Sequence, residues 1–122
     1  LLPGIQNGNL LQMHTFPCEN GDEFPKNQYT KWFDYDRIKG TLSLRHRQPG
    51  DYLTLPSGGR KTLKSWMIDE KIPRQEREEI WLLAEEKHIL WIVGHRISAY
   101  YKITEQTKTI LEVEFNGGKS SG

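Results

Sequence analysis

The stretch Ser57-Gly58-Gly59-Arg60-Lys61-Thr62 has the composition of a phosphate loop, two glycines leading to a lysine. A Walker loop needs a glycine directly before the lysine and a second one five residues earlier, so that backbone amides can close around phosphate. Arg60 and Leu55 occupy those two positions. The stretch therefore reads as a glycine hinge entering a basic helix. Other groups capable of chemistry are dispersed. His14, His46, His88 and His95 have no His-x-x-x-His or Cys-x-x-Cys partner, so no metal site is expected. Cys18 stands among Glu19, Asp22 and Glu23, and nearby acids raise a thiol's pKa and blunt its nucleophilicity. It reads as a loop cysteine. Glu78-Glu79 and Glu85-Glu86 are adjacent acids of the kind that are usually solvated. No catalytic residue and no metal ligand is assigned.

Positive charge is the stronger signal. Residues 45–77 hold eight Lys/Arg (45, 47, 60, 61, 64, 71, 74, 77) against four acids (51, 69, 70, 76), in a chain of net charge +1. A local positive field attracts phosphate whatever the net charge. The bland reading is a soluble β surface whose strand edges are blunted by charge. Three details favour phosphate. Arg45 and Arg47 alternate on one strand face, about 6–7 Å apart. Gly50, Gly58 and Gly59 let backbone N–H groups approach an anion. A helix starting near Lys61 would aim the positive end of its dipole the same way. His46 falls on the opposite face. Trp66 is read as core, and Tyr52 as the better candidate for a sugar or base contact.

The elements that must position these residues follow from periodicity. The length, 122 residues, suits one domain, assigned to 1–115, with a Gly/Ser-rich tail at 116–122. Thirteen aromatics, four of them Trp, supply core area. There is no long apolar run and no basic-then-apolar leader, so neither a membrane span nor a signal peptide is expected. A single cysteine fits a reducing cytoplasm. Residues 1–8 read as an irregular lead-in, 9–16 and 29–35 as strands, and 17–27 as a loop. Thr41 to Arg47 alternates, with Leu42 and Leu44 inward. Leu63, Trp66 and Met67, spaced i, i+3, i+4, make the buried stripe of a helix over 61–70. Lys61 and Lys64 share another face of it. Pro73 suits the first position of a second helix to about residue 79, with Arg74 and Glu78 able to pair. Strands are expected at 80–84 and 89–93, the latter continuously apolar and most buried. Residues 98–104 and 109–115 read as a hairpin. The fold class is α+β: mostly antiparallel sheet or sandwich, six or seven short strands, two short helices inserted mid-chain.

In order and spacing, Arg45-x-Arg47-x-Pro49-Gly50-Asp51, Lys61-x-Leu63-Lys64 and Asp69-x-Lys71-Ile72-Pro73-x-x-x-Arg77 resemble the C-terminal domain of bacterial tRNA(Ile)-lysidine synthetase. Trp91-Ile92-x-Gly94-x-Arg96-Ile97 and Tyr101-Lys102-Ile103-Thr104 continue the match, which covers residues 42–104. The resemblance implies a fold similar to a domain of the phenylalanyl-tRNA synthetase β chain. It implies a parent ligase that joins lysine to the wobble cytidine of a minor isoleucine tRNA, using ATP and magnesium in an N-terminal catalytic domain. This domain would bind that tRNA, including its acceptor stem, and hold no cofactor itself. Arg45, Arg47, Lys61, Lys64, Lys71 and Arg77 become candidate tRNA contacts, and Pro49, Gly50 and Pro73 shape-setting residues. Oligomerisation is compatible with the sequence. The alternative is a protein–protein or intra-enzyme docking module without RNA contact, built on the aromatics of 29–35.

Overall fold

Apolar alternation and one apolar run dictate most of the architecture. The structure, a computed structural model, describes residues 5–6, 10–19, 21 and 23–116. In chain order its strands are β1 (Ile5–Gln6), β2 (Leu11–Pro17), β3 (Thr30–Asp34), β4 (Leu42–Arg45), β5 (Tyr52–Thr54), β6 (Arg60–Thr62), β7 (Leu82–Glu85), β8 (His88–Ile92), β9 (Arg96–Ile97) and β10 (Thr109–Phe115). Helices α1 (Leu63–Asp69) and α2 (Arg74–Arg77) lie between β6 and β7. The larger sheet runs β1-β4-β7-β8-β5-β6, with β9 beside β8; the smaller is β2-β10-β3. Pairing is antiparallel except at β1–β4 and β5–β8. The class is α+β, with two short helices on mostly antiparallel sheet.

The larger sheet is covered on both faces. One face meets the smaller sheet through Leu42, Leu44, Leu83 and Trp91 against Phe33, Leu111 and Val113. The other meets α1 through Leu53, Leu82, Ile89 and Ile92 against Leu63, Trp66 and Met67. A strand covered twice cannot afford alternation, which is why residues 89–93 read as unbroken apolar sequence. The helix stripe 63/66/67 is buried as its spacing requires.

Several elements differ from the periodicity reading. Lys61 is in β6, a strand not expected, so it shares no helix face with Lys64. The helix starts two residues later because Thr62 caps it, its Oγ1 accepting from Ser65 N–H at 3.1 Å. Pro73 precedes α2 rather than opening it, and α2 ends at Arg77. Residues 98–104 are not a strand. They form a 3-10 turn at Ala99–Tyr101, held by the buried Tyr101, whose hydroxyl donates to Glu85 Oε1 at 2.8 Å. The expected hairpin partner of β10 is replaced by β2 and β3. The described residues hold ten strands rather than six or seven, because two- and three-residue strands are set by their partners and carry no period of their own. The lead-in at residues 1–8, apart from β1, and the tail beyond Asn116 lie outside the described residues. Among the described residues no helix is long and apolar enough to cross a membrane.

Candidate nucleic-acid interface

Arg45 ends β4 and points into a loop that curls back on it. Its Nη1 and Nη2 donate to Asp51 Oδ2 and Oδ1 at 3.0 and 2.9 Å, to His46 O at 2.9 Å and to Glu86 O at 2.7 Å. Its side chain is 13% exposed and that of Asp51 1%. Asp51 also accepts from Gln48 N–H at 2.8 Å, while its carbonyl accepts from Leu63 N–H at 2.9 Å. A guanidinium engaged this fully has little left to offer a phosphate. It ties loop 46–51 to the start of α1. Gly50 turns that loop at φ +90°, the left-handed region that glycine enters without a Cβ penalty. His46 anchors the other side, stacked on Trp81 at 4.1 Å between centroids.

The result is an open groove of about 540 Å³, lined by Arg47, Gln48, Pro49, Gly50, Asp51, Thr62, Leu63, Lys64 and Glu78. Arg47 and Lys64, seventeen positions apart in sequence, both line it. Arg47 Nε is bound to Glu78 Oε2, and Glu78 is 62% exposed. Lys64 is exposed and takes part in no ion pair among the described residues. The expected Arg74–Glu78 contact gives way to Arg47–Glu78. The dipole argument for α1 is weakened: the helix has seven residues, and its Leu63 and Ser65 N–H groups are already bonded.

Lys61, Lys71 and Arg77 do not line this groove. Lys61 Nζ is paired with Asp69 Oδ2. Lys71 is exposed in a left-handed conformation, φ 57°, that closes α1. Its N–H donates to Ile68 O, and Ile72 N–H to Met67 O, both at 3.0 Å, which is a Schellman closure with lysine in the usual glycine position. Arg77 Nε donates to Ile72 O at 2.8 Å, so it braces the link between the helices. Pro73 sets the extended backbone before α2.

The structure adds cations that sequence reasoning did not select. Arg60 lies over the Tyr52 ring at 4.4 Å, Tyr52 stacks on His88 at 4.5 Å, His88 meets Tyr100 at 5.1 Å, and Arg37 caps Tyr100 at 4.8 Å. Arg60 and Arg37 are exposed. Burial, helped by the charge of Arg60, lowers the His88 pKa from 6.5 to about 4. Burial raises that of Tyr101, and its hydrogen bond to Glu85 adds to the effect. Neutral His88 therefore sits comfortably between Thr54 Oγ1 (3.0 Å) and Ser98 Oγ (3.3 Å). Arg60 was visible within the basic segment. Arg37, far upstream, gave no sequence signal. The glycine loop at 57–59 is the β5–β6 hairpin, with Gly58 N–H donating to Leu55 O at 2.8 Å.

Two sheets, a mid-chain helical insert and a groove lined by two cations define a small α+β domain. Residues 42–114 match the family described as "TilS substrate C-terminal domain". The chain belongs to that family. It is 45% identical over 95 residues to the tRNA(Ile)-lysidine synthase of Caldanaerobacter subterraneus subsp. tengcongensis, an alignment that covers 77% of this chain and 20% of that protein. It is 36% identical over 110 residues to the tRNA(Ile)-lysidine synthase of Dehalococcoides mccartyi, covering 89% and 23%. The chain thus spans about a fifth of the length of these curated relatives. In fold it resembles a solved structure described as "Crystal structure of TILS C-terminal domain", with a TM-score of 0.66 at 24% identity, over 92% of this chain and 88% of that one.

Proposed function

We propose that this domain holds the tRNA substrate of a tRNA(Ile)-lysidine synthetase, gripping the acceptor-stem backbone in the groove between Arg47 and Lys64. The observation that carries the reading is that those two cations, from separate elements, line one open groove. An A-form stem has a major groove too narrow for side chains, so proteins hold it through phosphates and 2′-hydroxyls. Arg47 can fork two hydrogen bonds to one phosphate, and Lys64 supplies a mobile point charge. Lys61, Lys71 and Arg77 add positive potential to the same basic segment, while Arg45 positions the loop. ATP, magnesium, lysine and bond formation belong to the N-terminal catalytic domain of the parent ligase, in the cytoplasm.

The test is binding of an acceptor-stem minihelix over a salt series. With about four phosphates neutralised, log K falls against log salt with a slope of roughly −3 to −4. Arg47→Ala with Lys64→Ala flattens that slope and weakens binding. Affinity indifferent to salt, or binding of the catalytic domain at this groove in place of RNA, overturns the reading in favour of a docking module.

A further inference from the structure

A second cleft is lined by residues of β3 and β9, one strand from each sheet. Among the described residues, β3 is an edge of the smaller sheet and β9 pairs with β8 alone. The cleft has a volume of about 400 Å³, within the usual span of about 300–1,000 Å³ for small-ligand sites. Phe24, Trp32, Ile97 and Ile103 give it apolar walls, and Lys31 and Lys102 also line it. Neither lysine is in an ion pair among the described residues.

The indole of Trp32 is held in place. Its Nε1 donates to Glu112 Oε1 at 2.8 Å, and Phe16 packs edge-on at 5.2 Å. Phe24 leans toward it at 5.5 Å and 44° while remaining 60% exposed. Phe24 and Trp32 thus present aromatic rings to the cleft, that of Phe24 largely open to solvent. Aromatic faces flanked by unpaired lysines match one ligand chemistry well, a flat base joined to a phosphate.

We propose that this cleft binds an unpaired nucleotide, its base against Trp32 and Phe24 and its phosphate on Lys31 and Lys102. The inference extends the RNA reading and rests on it for the RNA source: a base in a single-stranded end, beside the stem held by the groove. A free nucleotide has the same chemistry and is the other source.

Three probes separate the outcomes: a blunt RNA duplex, the same duplex with a short single-stranded 3′ overhang, and nucleoside 5′-monophosphates. The overhang is expected to tighten binding about tenfold, the scale of one stacked base. Phe24→Ala and Lys102→Ala, both at exposed positions, each abolish most of that gain and leave blunt-duplex affinity and the thermal midpoint unchanged. Trp32→Phe, which keeps a ring, retains part of it. Monophosphates that bind and are lost in the same variants, with no overhang effect, assign the cleft to a free nucleotide. An overhang that adds nothing together with no monophosphate binding overturns the proposal. So does an overhang gain that survives Phe24→Ala and Lys102→Ala, or a peptide strand found paired along β3. Loss of blunt-duplex binding with a retained overhang effect would sink the groove reading alone.

Discussion

Arg45 and Asp51 face each other as fork and carboxylate, two parallel contacts of 3.0 and 2.9 Å at a nearly water-free position. The pair closes loop 46–51 onto the backbone that starts α1. Arg47, two residues on, faces the groove instead.

Arg45→Ala is therefore expected to destabilise the domain by about 3–5 kcal/mol, the range for breaking a buried pair and stranding its partner. Denaturant unfolding measures it. Arg47→Ala, whose partner is exposed, costs under about 1 kcal/mol in stability and shows its effect in RNA affinity. Unchanged stability with lost binding in Arg45→Ala would return Arg45 to the list of contacts.

Glu78 competes with phosphate for Arg47. Glu78→Gln removes the competitor and one negative charge from the groove wall. RNA affinity is expected to rise a few-fold, in line with the roughly 0–1 kcal/mol worth of an exposed pair, with stability nearly unchanged. Weaker binding in that variant would show that Glu78 holds Arg47 in its working position.

Lys71 separates charge from backbone strain. Its φ of 57° is costly for a residue with a Cβ. Lys71→Gly relieves that cost and raises stability by up to about 1 kcal/mol, while Lys71→Ala does not. If Lys71 contributes to the potential that holds RNA, both variants weaken binding alike. Affinity unchanged from that of the parent chain in both variants would leave Lys71 a helix terminator alone.

His88 predicts a pH response. Its folded-state pKa, about 4, lies below its ordinary value of 6.5, so the unfolded chain takes up the proton first. Stability is then fully present above about 6.5 and declines as pH falls toward 4. His88→Gln is expected to flatten the thermal midpoint across that window relative to the unchanged chain. Identical profiles would remove His88 as the source.

Local chemistry was legible in the sequence. The stripe of Leu63, Trp66 and Met67, the inward Leu42 and Leu44, and the buried run 89–93 follow from periodicity, because each is decided by neighbours within a turn or a pleat. The basic segment and its ordered motifs were likewise readable from residue types and spacing. What each cation does was not. Arg45 lost its apparent place on an open face because Asp51 and the Glu86 carbonyl, 41 positions away, close over it. Arg47 and Lys64 come to line one groove only once β6 and α1 fold against the loop after β4. Strand β10 left its expected hairpin for β2 and β3, and Phe24 reached Trp32, through contacts that no local period encodes. Sequence alone determined which faces are buried and that one segment is basic. Tertiary structure decided which charges are neutralised by partners and which are left for a ligand, since that depends on groups brought together from distant parts of the chain.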